Sequence, residues 1–138
     1  MTQRTEPLPA RQSAARAFNQ FGLTNFLVGA KSGNVINVAV QLQDARGQTL
    51  RSLAHAKCYL SDNSDGSTLT ATASTSPFAI GVNGVLLDIT TTGKVFSVVS
   101  NASGQFDVNV TQTAGGTNQY LVVIHPAGGI TVSPIIAF

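Results

Sequence analysis

Apolar and polar residues alternate through most of this chain. Over residues 34–43, Ile36, Val38, Val40 and Leu42 alternate with Asn37, Ala39, Gln41 and Gln43, the period-two pattern of a strand with one buried and one wet face. Asp44-Ala45-Arg46-Gly47 supplies turn chemistry, with Gly47 free to take positive φ, and leads back through Leu50 to Leu53. Residues 54–60 alternate again, which puts Ala56, Cys58 and Leu60 inward and His55, Lys57 and Tyr59 outward. Asp62-Asn63-Ser64-Asp65-Gly66 closes that strand as a loop, and the Thr/Ala/Ser run at 68–76 fits either an edge strand or a loop. Phe78 and Ile80 precede a turn at Asn83-Gly84, after which residues 85–90 and 95–99 read as two strands broken by Gly93. Beyond a turn at 101–104, Phe106, Val108 and Val110 alternate with Asp107 and Asn109 until Gly115-Gly116. Residues 120–124 are apolar at every position, so both faces are expected to be covered, and Pro126 with Gly128-Gly129 turns the chain into a last strand over 130–138. Seven to eight short strands with turn signals between them predict an all-β fold, an antiparallel sandwich or barrel, with an antiparallel β-sandwich of immunoglobulin-like type as the leading choice.

The first 31 residues have another character. Pro7 and Pro9 remove backbone donors and favour extended conformations, so residues 2–10 read as a strap. A short helix is predicted over 10–21, with Ser13 as cap, Ala14, Ala15 and Ala17 as helix formers, and Phe18 and Phe21 on one face. At that length it needs a surface to pack on. Arg4, Arg11, Arg16 and Lys31 stand against Glu6 alone, a net charge of +3, whereas residues 32–138 carry a net −1. The division expected is an N-terminal docking arm over 1–31 and a β-sandwich domain over 32–138. Three arginines are sparse for a nucleic-acid tail, and Phe18, Phe21 and Phe26 suit apolar pockets. The arm therefore predicts docking on a protein, through Arg4, Arg11, Arg16, Phe18, Phe21 and Phe26, and no nucleic-acid partner.

Composition narrows the chemistry. Only 10% of residues are charged, against about 25% in an average soluble domain, so the surface is mostly neutral and polar. The single Cys58 excludes an intrachain disulfide. No apolar run has signal-peptide character or approaches the ~20 residues that span a bilayer, which leads to the expectation of cytoplasmic synthesis and no membrane partner. The sequons at Asn101 and Asn109 then read as chance matches. His55 and His125 lie in no catalytic motif, and Cys58 sits on the inward face of its strand as a small hydrophobe. Asp62 and Asp65 could offer oxygen ligands, but their loop lacks the acidic spacing and closing glutamate of a calcium loop. Glycine pairs fall between strands rather than before a helix, unlike a phosphate cradle. The expectation is a protein without enzymatic activity, cofactor or metal.

The run Val-Ala-Val-Gln-Leu-Gln-Asp-Ala-Arg-Gly at 38–47, Cys-Tyr-Leu-Ser-Asp at 58–62 and Ser-Gly-Gln-Phe-Asp-Val-Asn-Val at 103–110 resemble small proteins encoded near the major capsid gene of tailed bacteriophages. The resemblance covers about residues 34–138, and its motifs mainly record hairpin geometry. It implies a capsid decoration, or cement, protein: a virion structural protein on the capsid exterior, made in the host cytoplasm, with the major capsid protein as partner. It also implies an N-terminal arm reaching over neighbouring capsid subunits and a homo-oligomer, a trimer suiting three-fold sites. The alternative from another class is a receptor- or carbohydrate-binding module of a tail fibre or baseplate, using Tyr59, Asp62, Asn63 and Asp65. The absence of Trp and the presence of only two Tyr argue against it.

Overall fold

The computed structural model describes residues 21–138. It is all-β, with no helix among the described residues and ten strands in two antiparallel sheets. The first sheet runs in the order β1 (Leu23–Val28), β2 (Val35–Gln43), β7 (Gln105–Thr111), β4 (Ala79–Ile80). The second runs β10 (Ile136–Ala137), β8 (Asn118–Ile124), β3 (His55–Ser61), β6 (Val95–Val99), β5 (Val85–Thr91), and β9 (Ile130–Val132) also pairs with β8.

The alternation in sequence becomes the sandwich interior. Ile36, Val38, Val40 and Leu42 from β2 and Phe106, Val108 and Val110 from β7 face Ala56, Cys58 and Leu60 from β3, Phe96 and Val98 from β6 and Leu121 and Val123 from β8 in one buried cluster. Phe78 closes it, its ring 4.6 Å from that of Phe96. Residues 120–124 are covered on both faces only in part: Leu121 and Val123 point into the core and Val122 is buried on the outer face, but Tyr120 is half-buried and Ile124 is exposed. A Cβ at Gly66 would strike the Val122, Ile130 and Val132 side chains, so that outer cover is the 62–66 loop together with β9.

The chain is already inside the sandwich ten residues before the expected domain boundary. Phe21 lies in the core cluster, and β1 pairs with β2 in a register that sets Thr24, Phe26 and Val28 opposite Leu42, Val40 and Val38. Thr24, Phe26 and Val28 turn inward while Leu23, Asn25 and Leu27 lie exposed, so the two faces of this strand are not separated by polarity. A hairpin bridged at Ser32 and Val35, with Gly33 in the left-handed region at φ 60°, joins it to β2. The expected strap over 2–10 and most of the expected helix over 10–21 lie outside the described residues; Phe21 itself is in neither helix nor strand.

The 68–76 run is neither an edge strand nor a loose loop. Two buried glutamines fasten it. Gln119 Nε2 donates to Thr70 Oγ1 at 2.8 Å and to the Thr72 carbonyl at 2.6 Å, while Gln112 Nε2 donates to the Ala73 carbonyl and to Gln119 Oε1, both at 3.1 Å. Further along, Ser74 Oγ accepts from the Thr111 amide. Low complexity in sequence here conceals a segment crossing from the second sheet to the first, fastened by polar contacts that satisfy both glutamine side chains.

The last strand expected over 130–138 is interrupted. Ser133 and Pro134 separate β9 from β10, and Ser133 Oγ accepts from the Leu121 amide at 2.9 Å where a ladder bond would otherwise run.

Candidate functional site

The side chains able to do chemistry are mostly occupied by the fold. Cys58 is fully buried between Ala56 and Leu60 on β3, and burial pushes its thiol well above the usual range. A thiol held neutral is a poor nucleophile. The native protein is therefore expected to leave Cys58 unlabelled by a thiol-reactive chromogenic disulfide and to react stoichiometrically only in denaturant; prompt native labelling would disprove this placement.

His125, which lies in no catalytic motif, is nearly buried just past the end of β8. Phe21 meets its ring edge-on, with centroids 5.6 Å apart. Its Nε2 lies 2.6 Å from Thr131 Oγ1 and 3.4 Å from Thr24 Oγ1, and burial lowers its pKa, favouring the neutral imidazole. The imidazole thus bridges the two sheets. His55 stands apart, exposed at the start of β3.

The acids are similarly engaged. Asp107 is 6% exposed and accepts from Asn37 Nδ2 at 2.7 Å, the Asn83 amide at 2.6 Å and the Val82 amide at 3.0 Å. Burial alone would raise its pKa, but the hydrogen bonds from Asn83, Asn37 and Val82 outweigh it and hold the carboxyl below the usual range. Asp62 accepts from Thr70 Oγ1 and the Ala71 amide, and Asp65 accepts from the Ser67 amide; these bonds lower both carboxyls. Among the described residues no group of three His, Cys, Asp or Glu side chains converges on one point.

What remains for contact is surface. On the outer face of the second sheet, Lys57, Tyr59, Leu69, Val95 and Ile124 line a shallow groove of about 290 Å³. Tyr59 donates its hydroxyl to the Gly66 carbonyl at 2.7 Å, and Asn63 donates to Ser67 Oγ. Of the residues read above as sugar contacts, Asp62, Asn63 and Asp65 share one loop, Tyr59 bonds to it from β3, and all four are largely engaged in shaping it.

Of the six docking residues, Arg4, Arg11, Arg16 and Phe18 lie outside the described residues. Phe21 and Phe26 are placed, and not on a projecting arm. Phe21 is 1% exposed, so its ring serves the core and offers nothing to a partner. Phe26 is half-buried and packs its side chain against the core from β1. Both were read as arm residues because Phe18, Phe21 and Phe26 are close together in a basic stretch. No polar–apolar alternation marks residues 23–28, because inward Thr24 is polar and outward Leu23 and Leu27 are apolar, so the strand that carries Phe26 gives little signal in sequence. Asp107, Gln112 and Gln119 were missed for another reason: nothing in sequence distinguishes a buried, bonded polar side chain from a wet one.

No protein-family model matches this chain, and no curated protein is significantly similar to it.

Proposed function

We propose that this chain is a virion structural protein that binds the outer surface of a phage capsid and stabilises it by bridging neighbouring capsid subunits. The observation that carries this reading is the division of labour along the chain. Cys58, His125, Asp107 and Asp62 are consumed in holding a sandwich with few charges, while the whole formal net charge of +2 lies in residues 1–20, where Arg4, Arg11 and Arg16 stand against Glu6. A neutral, well-packed body with a separate basic segment suits attachment better than turnover. An immunoglobulin-like arrangement of the two sheets belongs to this reading, supported by the two antiparallel layers and the crossovers between them. Contacts of modest strength suffice when one shell repeats them many times.

Arg4, Arg11 and Arg16 meet acidic capsid patches in this reading, with Phe18 beside them. Cosedimentation with empty expanded phage capsids tests it. Saturable binding is expected for the full chain, and the triple change of Arg4, Arg11 and Arg16 to Ala is expected to weaken it by about tenfold, from three ion pairs of roughly 0.2–1 kcal/mol each. Higher salt should weaken the unaltered chain more than the triple variant. No binding by the full chain would sink the capsid reading and direct attention to tail components and glycans.

A further inference from the structure

We infer that the edge of β1 left unpaired among the described residues is a self-association surface, on which a second copy of this chain adds its own β1 antiparallel about a two-fold axis. An unpaired strand edge is a template for another strand, and proteins ordinarily blunt it with short strands, bulges, proline or inward charge. Every other edge among the described residues is blunted. Strands β4 and β10 are two residues long, β9 ends at Ser133-Pro134, and β5 carries two register shifts against β6 with Asp88 between them. Strand β1 has none of these devices. Its six residues, Leu-Thr-Asn-Phe-Leu-Val, include no charge, proline or glycine, pair with β2 without a register shift, and expose Leu27 by 71% and Leu23 by 44%.

The ladder fixes how a second copy can join. Gly29 donates its amide to the Asn37 carbonyl, so Leu23, Asn25 and Leu27 direct their backbone groups to β2 and Thr24, Phe26 and Val28 direct theirs outward. An added antiparallel strand must pair outward-directed residues with outward-directed residues. A two-fold axis through Phe26 does this for all three: Phe26 meets Phe26 of the second copy, and Thr24 meets Val28. The intervening pair is Asn25 opposite Leu27, on the outer face. The phenylalanine pair lies toward the core side, where an aromatic cross-strand pair is favourable.

Charge admits a second copy as well. From Phe21 to Ala30 there is no ionisable side chain, so self-pairing opposes no like charges. The result would be two four-stranded sheets joined into one of eight. One strand edge is smaller than a standard interface of about 800 Å² per partner, so the dimer is expected to be reversible and in the micromolar range. An isologous edge closes at two copies, unlike the trimer implied by the resemblance.

Sedimentation equilibrium of the full chain, with no capsid present, tests this apart from the capsid reading. A monomer–dimer equilibrium is expected. Asn25 and Leu27 are exposed, so changing both leaves the core untouched. Asn25→Lys with Leu27→Lys sets cations directly opposite each other at two symmetric positions and is expected to raise the dimer Kd about tenfold. Asn25→Lys with Leu27→Glu sets a cation opposite an anion and is expected to leave the dimer as strong as the unaltered chain or stronger, with both variants folded by circular dichroism. A monomer at every concentration, a closed ring of three or more, a dimer indifferent to both variants, or two variants equally weakened would each overturn the pairing.

Discussion

Changing Phe21 to Ala is expected to cost about 3–5 kcal/mol of folding stability, the range for removing a fully buried aromatic ring. The ring is 1% exposed, belongs to the core cluster and meets the His125 imidazole edge-on. Its loss would leave a cavity beside a polar ring that now has Thr131 and Thr24 as partners and Phe21 as its apolar cover. Against a typical domain stability of about 5–15 kcal/mol, such a loss is a large share of the total. Urea denaturation followed by circular dichroism measures it. The contrasting change is Leu27 to Ala on the exposed face of β1, expected to stay within about 0.5 kcal/mol. Equal and small effects at both positions would mean that Phe21 is not the anchor described here.

This result matters for any experiment on capsid binding. Cutting the chain after residue 31 removes Phe21 together with all of β1, and uncovers the β2 edge and the inward faces of Val38, Val40 and Leu42. Lost binding by such a chain would report a damaged sandwich as readily as a missing arm. Substitution of Arg4, Arg11 and Arg16 leaves every described contact in place, and so isolates docking from folding.

The parts of the fold legible in sequence are those where one strong rule acts alone. Period-two alternation placed the inward and outward faces of β2, β3 and β7 because a one-residue slip would turn every apolar side chain to water. The all-apolar run at 120–124 announced a doubly covered strand, which holds at Val122 under the 62–66 loop and fails at Ile124, which the loop and β9 leave exposed. Reading failed where two rules competed. Around Phe21 to Val28, positive charge and clustered phenylalanines suggested an arm, whereas Phe26 and Val28 favour a strand whose polar–apolar alternation is broken by exposed Leu23 and Leu27. Reading also failed for polar side chains. Gln119 and Gln112 look like ordinary strand-end residues until the fold brings Thr70, Thr72 and Ala73 against them, since their partners are 39 to 49 residues away. The docking candidates Arg4, Arg11, Arg16 and Phe18 rest on composition, and their test is the capsid.

Asp107 presents the second large effect, and its sign with pH is determined. The carboxylate gathers Asn37 from β2 and the Val82 and Asn83 amides from the turn after β4, so it ties the crossover between the sheets to β7. The fit is close enough that a Cβ at Gly81 would collide with the Asp107 carboxylate and the Asn37 amide. Asp107→Ala leaves three donors without their acceptor. At about 1–3 kcal/mol for each buried group left unsatisfied, and with partial relief from water because Val82 is exposed and Asn37 and Asn83 are only part-buried, a total near 3 kcal/mol is expected. Asp107→Asn should cost less, because its remaining oxygen can keep the Val82 and Asn83 amides while Asn37 and Asn109 turn their side-chain amides to receive the new donor. The folded-state pKa lies below the unfolded one, so ionised Asp107 contributes stability that is complete above the unfolded value of about 3.9 and disappears as pH falls through the folded value. The stability gap between the unaltered chain and Asp107→Asn is therefore expected to be constant from about pH 5.5 to 7 and to narrow below about pH 4. Denaturation midpoints measured across that range decide the matter: a gap that widens in acid would mean the carboxyl is held protonated, and the crossover is then tied by a donor rather than an acceptor.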